Sequence, residues 1–494
     1  MPDTPETLDP ADWDIHRATA HRMVEDAVDY IRDVRSRPVW QDMPQDVRAR
    51  FRDPVPIDGQ PLDEIYRQIA TDVLPYPMGN IHPRFWMWYM GASNFAGAMG
   101  DFLAAILGSN LGGGDHAAAE IDKQVVGWMK EMVGYPTSAS GTLVSGGSMA
   151  NLIGLTVARN TMSGIDLREM GVSALAAPMR FYGSDQIHSC HRIAVEAMGL
   201  GNRALRRVQS DAACRMNLSL LRTAIAEDRA AGLHPACVIA TAGTVNTGAI
   251  DDLEAIADLC AAEGLWMHVD GCIGALLAIA PRGSALVHGI ARADSIALDP
   301  HKWLHAPFEV GCALVRDAEA HQGTFSSTPE YLEAAPRGIA SGAWLHDFGL
   351  QTSRGFRALK VWMSLKEHGL AKFGRLIDQD LAHACYLSER IEATPDLTLC
   401  YPTVINIVCF RYDPGGLPDV ALKRLNTEIM VQMQEAGVAA VSDTTVQGRH
   451  CLRAAINNHR TVPSDLEVLV QEVVRRGRAL VPELVAGLRG DTYS

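Results

Sequence analysis

The sequence predicts an α/β fold for this 494-residue chain, divided into two or three structural units. Two observations support it. The length exceeds what one simple core organises. Short apolar runs of strand length alternate with amphipathic helical stretches through the middle of the chain, the pattern of a mostly parallel sheet covered by helices. Apolar content of 47% is that of an ordinary globular protein. The formal charge of −14 argues against a nucleic-acid or anionic-membrane partner. The acidic, polar start MPDTPETLDPADWD is neither a signal nor a transit peptide, and no apolar run reaches membrane-spanning length. The ten cysteines are scattered singly without CxxC pairs, which predicts a reduced, cytoplasmic setting.

In chain order, residues 15–35 carry Val24, Ala27, Val28, Ile31 and Val34 at helical spacing, and Pro38 closes them. A second amphipathic piece runs from Leu62 to Leu74. These helices are too thin to form a domain and are expected to pack on something else. The stretch 80–92, NIHPRFWMWYMGA, concentrates Phe85, Trp86, Trp88 and Tyr89, which suits core or interface packing and equally a pocket wall. Gly112-Gly113-Gly114-Asp115 permits unusual backbone angles but lacks the following Lys or Ser of a phosphate loop. Val125–Val133 reads as a helix. Met149, Leu152, Ile153 and Val157 mark another that begins near Ser148. Its opening turn, Ser145-Gly146-Gly147-Ser148, is either a Ser-capped start or an anion site made by free N–H groups, the helix dipole and hydroxyls.

Strands follow at 180–183, from 237, at 265–270 and at 311–316. Asp270 ends one of them, 32 residues before Lys302 with another strand between, and Gly271 and Cys272 leave room beside it. His188 and His191, three apart in SDQIHSCHR, make a weak metal pair because no Cys or carboxylate stands at the usual spacing, and no metal site is expected. Residues 294–305, DSIALDPHKWLH, hold a buried-strand run that Asp299-Pro300 ends, so His301, Lys302 and Trp303 lie just past a strand's carboxyl end, where open α/β sheets bind ligands. Desolvation there lowers a lysine's pKa and frees the amine to attack a carbonyl. Residues 323–338 read as a long loop bearing Tyr331, and 348–369 begin a long helix in which Arg354 is structural. The remainder reads as a separate α+β unit: strand 404–410, helix 420–436, a strand near 451–456, and a capping box Ser464–Glu467 opening the last helix.

The motifs HPRF, SGGSMAN, SDQIHS and DPHKW, in that order, resemble those of the pyridoxal-phosphate (PLP) group II amino-acid decarboxylases, the family that includes aromatic-L-amino-acid decarboxylase. The resemblance covers most of the chain. It implies PLP fold type I: an N-terminal helical arm at 1–95, a large PLP-binding α/β domain with a mostly parallel seven-stranded sheet at 96–370, and a small C-terminal α+β domain at 371–494. It also implies a homodimer whose arm lies across the partner and whose active sites lie at the interface. Carried over residue by residue, Lys302 holds the cofactor, Asp270 pairs with its ring nitrogen, and His188 stacks on the ring. Gly147, Ser148 and His301 hold the phosphate, and Thr244 lies near the phenolic oxygen, with Val245 where many members have a second threonine. Tyr331 protonates the substrate α-carbon, and Trp88 and Tyr89 form the pocket.

The implied activity is decarboxylation of an L-amino acid, aromatic by Trp88 and Tyr89, to its amine and carbon dioxide. Gly112–Asp115 stands where aromatic-specific members carry larger residues near the pocket mouth, which leaves aliphatic or polar substrates open. Fold type I also hosts aminotransferases. Relatives with phenylalanine at the loop tyrosine make aldehydes, and Tyr331 argues against that here. A PLP-binding scaffold would not need Lys302, Asp270, His188 and Tyr331 together. Asp299, where some relatives carry Asn, would repel a phosphate and is expected to bond backbone and face away.

Overall fold

The computed structural model describes residues 6–327 and 335–490. Seven strands build the larger sheet: β2 (Ser140–Val144), β3 (Met179–Ser184), β4 (Leu205–Val208), β5 (His234–Thr241), β6 (Trp266–Asp270), β7 (Ser295–Leu298) and β8 (Gly311–Val315), with β1 (Phe85–Trp86) lying elsewhere. Their order is β2-β8-β7-β6-β5-β3-β4, and only β8 runs antiparallel to its neighbours. Every residue of β6, β7 and β8 is buried, as expected of strands covered on both faces, and this explains their largely apolar sequences. Because β2, β3, β5, β6 and β7 point the same way, the segments that follow them gather at one edge.

A second, five-stranded sheet has the order β1-β11-β12-β10-β9, with β9 at Leu397–Leu399, β10 at Ile407–Tyr412, β11 at Ala440–Val446 and β12 at Arg449–Ala455. Its first strand is a correction to a purely helical arm: Phe85 and Trp86 pair in parallel with Ala440 and Val441. Trp86 is fully buried, and its indole N–H donates to Thr461 Oγ1 at 3.2 Å, so residues 80–92 are stitched into the small sheet.

The arm helices run Trp13–Arg32 and Leu62–Asp72. Asp12 caps the first by accepting the Asp14 N–H at 2.8 Å. The apolar stripe on that helix is uncovered in the single chain: Val24 and Val28 are exposed, and Val34 beyond its end is buried. The long helix expected from 348 begins instead at Ala358, ends at His368, and is followed by a second helix, Leu370–Glu392. Gly369 (φ 73°) makes the break in the left-handed region that glycine favours. The final helix opens at Pro463, so Ser464 is inside it and is no cap. Asp465, not Glu467, reaches back to the Val462 N–H at 3.0 Å, while Glu467 bonds Arg390 at 2.8 Å and the Tyr386 hydroxyl. Pro463 takes the first helical position, where no N–H is needed.

Candidate active site

A cavity of about 690 Å³ opens where the parallel strands end, walled on its far side by residues of the small sheet. Lys302, His301, Asp299, Asp270, His188, Gly147 and Ser148 all line it, together with Trp88 and Tyr89.

Lys302 Nζ lies 2.9 Å from Asp299 Oδ2. This corrects two expectations. Asp299 is 3% exposed and faces Lys302, not away from the site. Burial does press the Lys302 pKa downward, but the charge of Asp299, its hydrogen bond, Cys272 and Asp270 outweigh it, so the ammonium is held above its usual range. The second oxygen of Asp299, Oδ1, is buried without a partner among the described residues.

Asp270 stands at the end of β6, with Oδ1 accepting the Cys272 N–H at 3.2 Å and Oδ2 lying 2.9 Å from His191 Nε2. Burial opposes its ionisation, yet the hydrogen bond and charge of His191, with Cys272 and Lys302, hold it well below the usual carboxylate range. His188 borders the cavity, and its Nδ1 accepts the Cys190 N–H at 3.2 Å. Burial lowers its pKa, which favours a neutral ring.

The helix Gly147–Met162 begins without a side-chain cap, so its start is not the Ser-capped end that was one of the two readings. The N–H groups of Met149 and Ala150 bond Gly146 O, and those of Gly147 and Ser148 are the orphans that point onward. Gly146 (φ 157°) and Gly147 are required here. A Cβ on Gly147 would stand 2.4 Å from Cys272 Sγ and 2.7 Å from Asp299 Oδ2. His301 borders this turn, its Nδ1 accepting the Val310 N–H at 3.2 Å and its ring against Phe308 at 4.6 Å.

Trp88 (φ 52°) is half exposed to the cavity, and Tyr89 is buried with its hydroxyl donating to Asn406 Oδ1 at 3.0 Å. Thr244 does not line the cavity. Its hydroxyl pairs with Thr247 Oγ1 at 3.0 Å and accepts the Ala249 N–H at 3.0 Å within its own turn, while Thr241, Val245 and Asn246 face the space. Gly112–Asp115 does not line it either: Gly113 and Gly114 pack on Ala343, Trp344 and Ile339. Tyr331 lies outside the described residues. Arg354 is buried, donating to Leu111 O at 2.8 Å and Leu143 O at 3.2 Å and facing Asp122 at 3.5 Å.

Two residues escaped the sequence reading. His191 was visible only as half of a weak metal pair, because its partner Asp270 is 79 positions away. Arg453, 3% exposed, lines the cavity and donates to Trp88 O at 2.5 Å and Asn246 O at 3.2 Å. A charge inside the apolar run CLRAAI was its only local signal.

The profile of the pyridoxal-dependent decarboxylase conserved domain matches residues 44–413. The chain belongs to this family. Within it, the aromatic-L-amino-acid decarboxylase of Bacillus atrophaeus is 34% identical over 470 residues, covering 92% of this chain and 94% of that protein. A tryptophan decarboxylase of Camptotheca acuminata is 29% identical over 454 residues, covering 89% and 90%. The crystal structure of Oryza sativa TDC with PLP and tryptamine superposes with a TM-score of 0.88 at 26% identity, covering 96% of this chain and all of that one.

The chain is therefore a PLP-dependent amino-acid decarboxylase of fold type I. Its residues fit the cofactor. An uncapped helix start and a glycine cradle can take a phosphate, a buried lysine can take the aldehyde, and an ionised carboxylate stands across the cavity for the ring nitrogen.

Proposed function

We propose that this decarboxylase acts on an aromatic L-amino acid and releases the corresponding amine. The observation that carries this reading is the convergence of Lys302, Asp270 and His188 on one cavity whose wall includes Trp88 and Tyr89. Large flat side chains recognise a flat substrate through apolar contact and edge-to-face packing. The names of the Bacillus and Camptotheca relatives point the same way. Gly112–Asp115, which left the substrate open, does not line the cavity within the single chain.

When bound, PLP supplies the electron sink for the pair left behind as carbon dioxide departs. The protein does the rest. Lys302 would anchor the cofactor and Asp270 would keep its ring nitrogen positive. His188 would stack on the ring and orient the substrate carboxylate. Gly147, Ser148 and His301 would hold the phosphate end. Tyr331 keeps the proton-donor role that the resemblance implies, which favours amine over aldehyde.

The active unit is read as a homodimer. The helix Phe95–Leu107 exposes Phe102, Ile106 and Leu107, and the arm exposes Trp13 and Ile15, an apolar surface that a second copy of the chain would cover. The ten cysteines are all free, which supports the reduced, cytoplasmic setting. No described helix is long and apolar enough to cross a membrane.

The test is carbon dioxide release from the standard amino acids plus dihydroxyphenylalanine and 5-hydroxytryptophan, with PLP supplied and amine and aldehyde both quantified. Release confined to aromatic substrates with stoichiometric amine supports the reading. Release from aliphatic or acidic amino acids alone overturns the substrate assignment, and an aldehyde product overturns the role of Tyr331.

A further inference from the structure

We propose that His191 is a positioning residue for this reaction: its Nε2–H fixes the Asp270 carboxylate so that Asp270 meets the cofactor's ring nitrogen in one orientation and as an anion. The inference rests on the reading of Asp270 given above and adds a residue to it.

The geometry is local, and the other ring nitrogen of His191, Nδ1, is buried without a partner among the described residues. His191 is on the first turn of the helix Cys190–Ala197, three residues after His188. The two histidines divide their work: His188 borders the cavity, while His191 is 0% exposed and lies behind Asp270, Nε2 to Oδ2 at 2.9 Å. An ionised carboxylate only accepts, so the proton in this bond belongs to His191 Nε2. The Cys272 N–H occupies Oδ1 at 3.2 Å. Two donors from two different segments define the plane of the carboxylate, and about two of its four lone-pair directions remain for a ligand in the cavity.

His191 is itself held in place. Its ring meets the buried His268 ring edge-on, with centroids 6.3 Å apart. His268 is pinned at both nitrogens, Nδ1 to Ser295 Oγ at 2.7 Å and Nε2 to Asn151 Oδ1 at 2.7 Å. Asn151 belongs to the helix that starts at the glycine cradle, and its amide lies 3.6 Å from Cys272 Sγ. The floor of the cavity is thus one connected layer from the phosphate end to the ring-nitrogen end.

Without His191, Asp270 would keep one backbone donor in a buried setting. An ionised carboxylate so placed is costly, and it would either take up a proton or turn toward Lys302. The ionisable groups around Asp270 among the described residues are His191, His188, Cys190, His268, Cys272 and Lys302, and His191 is the one that stands behind it with a ring nitrogen 2.9 Å from Oδ2.

The experiment uses protein reconstituted with PLP labelled with ¹⁵N in the ring, without substrate, and reads the ¹⁵N chemical shift between pH 6 and 9 together with PLP affinity. The variants are His191→Leu, His191→Asn (polar but too short to reach Asp270), His191→Gln (a donor of closer reach) and Asp270→Asn as reference, each checked for folding by circular dichroism. The expected result is a ring nitrogen that stays protonated in the wild type, moves toward the neutral position in His191→Leu and His191→Asn with PLP affinity down about tenfold, the scale of lost orienting partners at cofactor-like metal sites, and recovers in His191→Gln. If Asp270→Asn moves the signal and a folded His191→Leu or His191→Asn does not, His191 is packing only and the inference fails. If Asp270→Asn leaves the signal unmoved, the reading of Asp270 itself fails, and this inference with it.

Discussion

Lys302 and Asp299 set the chemistry at the scale of single residues. A carboxylate 2.9 Å from the lysine favours the ammonium, and burial favours the amine; the carboxylate wins. Asp299→Asn removes the charge and leaves burial, so the Lys302 pKa must fall and more neutral amine is present at a given pH. The expected outcome is that apoprotein takes up PLP roughly tenfold faster at neutral pH, with the pH–rate profile moved to lower pH, read by stopped-flow absorbance. A profile that stays in place would show that Asp299 does not control the lysine. The DPHKW motif made Lys302 legible, but not this balance, because spacing says nothing about which side of the Asp299 carboxyl faces the amine. For the same reason Thr244 was legible as a polar residue after a strand but not as one turned into its own loop. The pair of His191 and Asp270 had no sequence signal at all, since two segments far apart in the chain create it.

At the scale of elements, the turn between β2 and its helix and the contact of β2 with Arg354 make opposite kinds of demand. Alanine is better than glycine in a helix by about 1 kcal/mol. Gly147→Ala is nevertheless expected to lose PLP affinity by at least about tenfold, because its Cβ would meet Cys272 Sγ at 2.4 Å and displace Asp299. A fluorescence titration with PLP, alongside a melting curve, checks it, and unchanged affinity would mean the cradle yields. Arg354→Leu removes the partner of buried Asp122 and the donor to two carbonyls, and is expected to cost about 3–5 kcal/mol in urea unfolding. A loss below about 0.5 kcal/mol, the range of ordinary surface changes, would contradict a structural role. The buried strands were legible because β6, β7 and β8 are mostly apolar, with His268, Asp270 and Ser295 the polar or charged side chains among them. The two-residue strand Phe85–Trp86 was not, since so short a run has no periodicity and exists only because Ala440 and Val441 pair with it. The break at Gly369 turns on one positive φ that the helical pattern on either side hides.

For the molecule as a whole, two sheets meet at one cavity, with catalytic candidates on the strand ends of one and Arg453 reaching in from the other. Apolar side chains on the helix Phe95–Leu107 face outward, so Ile106→Glu, at a position 71% exposed, is expected to leave the chain folded but monomeric by sedimentation velocity. A dimer that survives would place the interface elsewhere. The alternation of strands and helices made the architecture legible, whereas the exposed stripe of Val24 and Val28 on the arm does not itself say what covers it. The most direct measurement fixes the cofactor where the site is built to hold it. The holoenzyme is reduced with borohydride, digested and analysed by mass spectrometry. A phosphopyridoxyl group on the peptide containing Lys302, absent in Lys302→Ala, is the predicted result; the group on another lysine, or on none, would contradict the account.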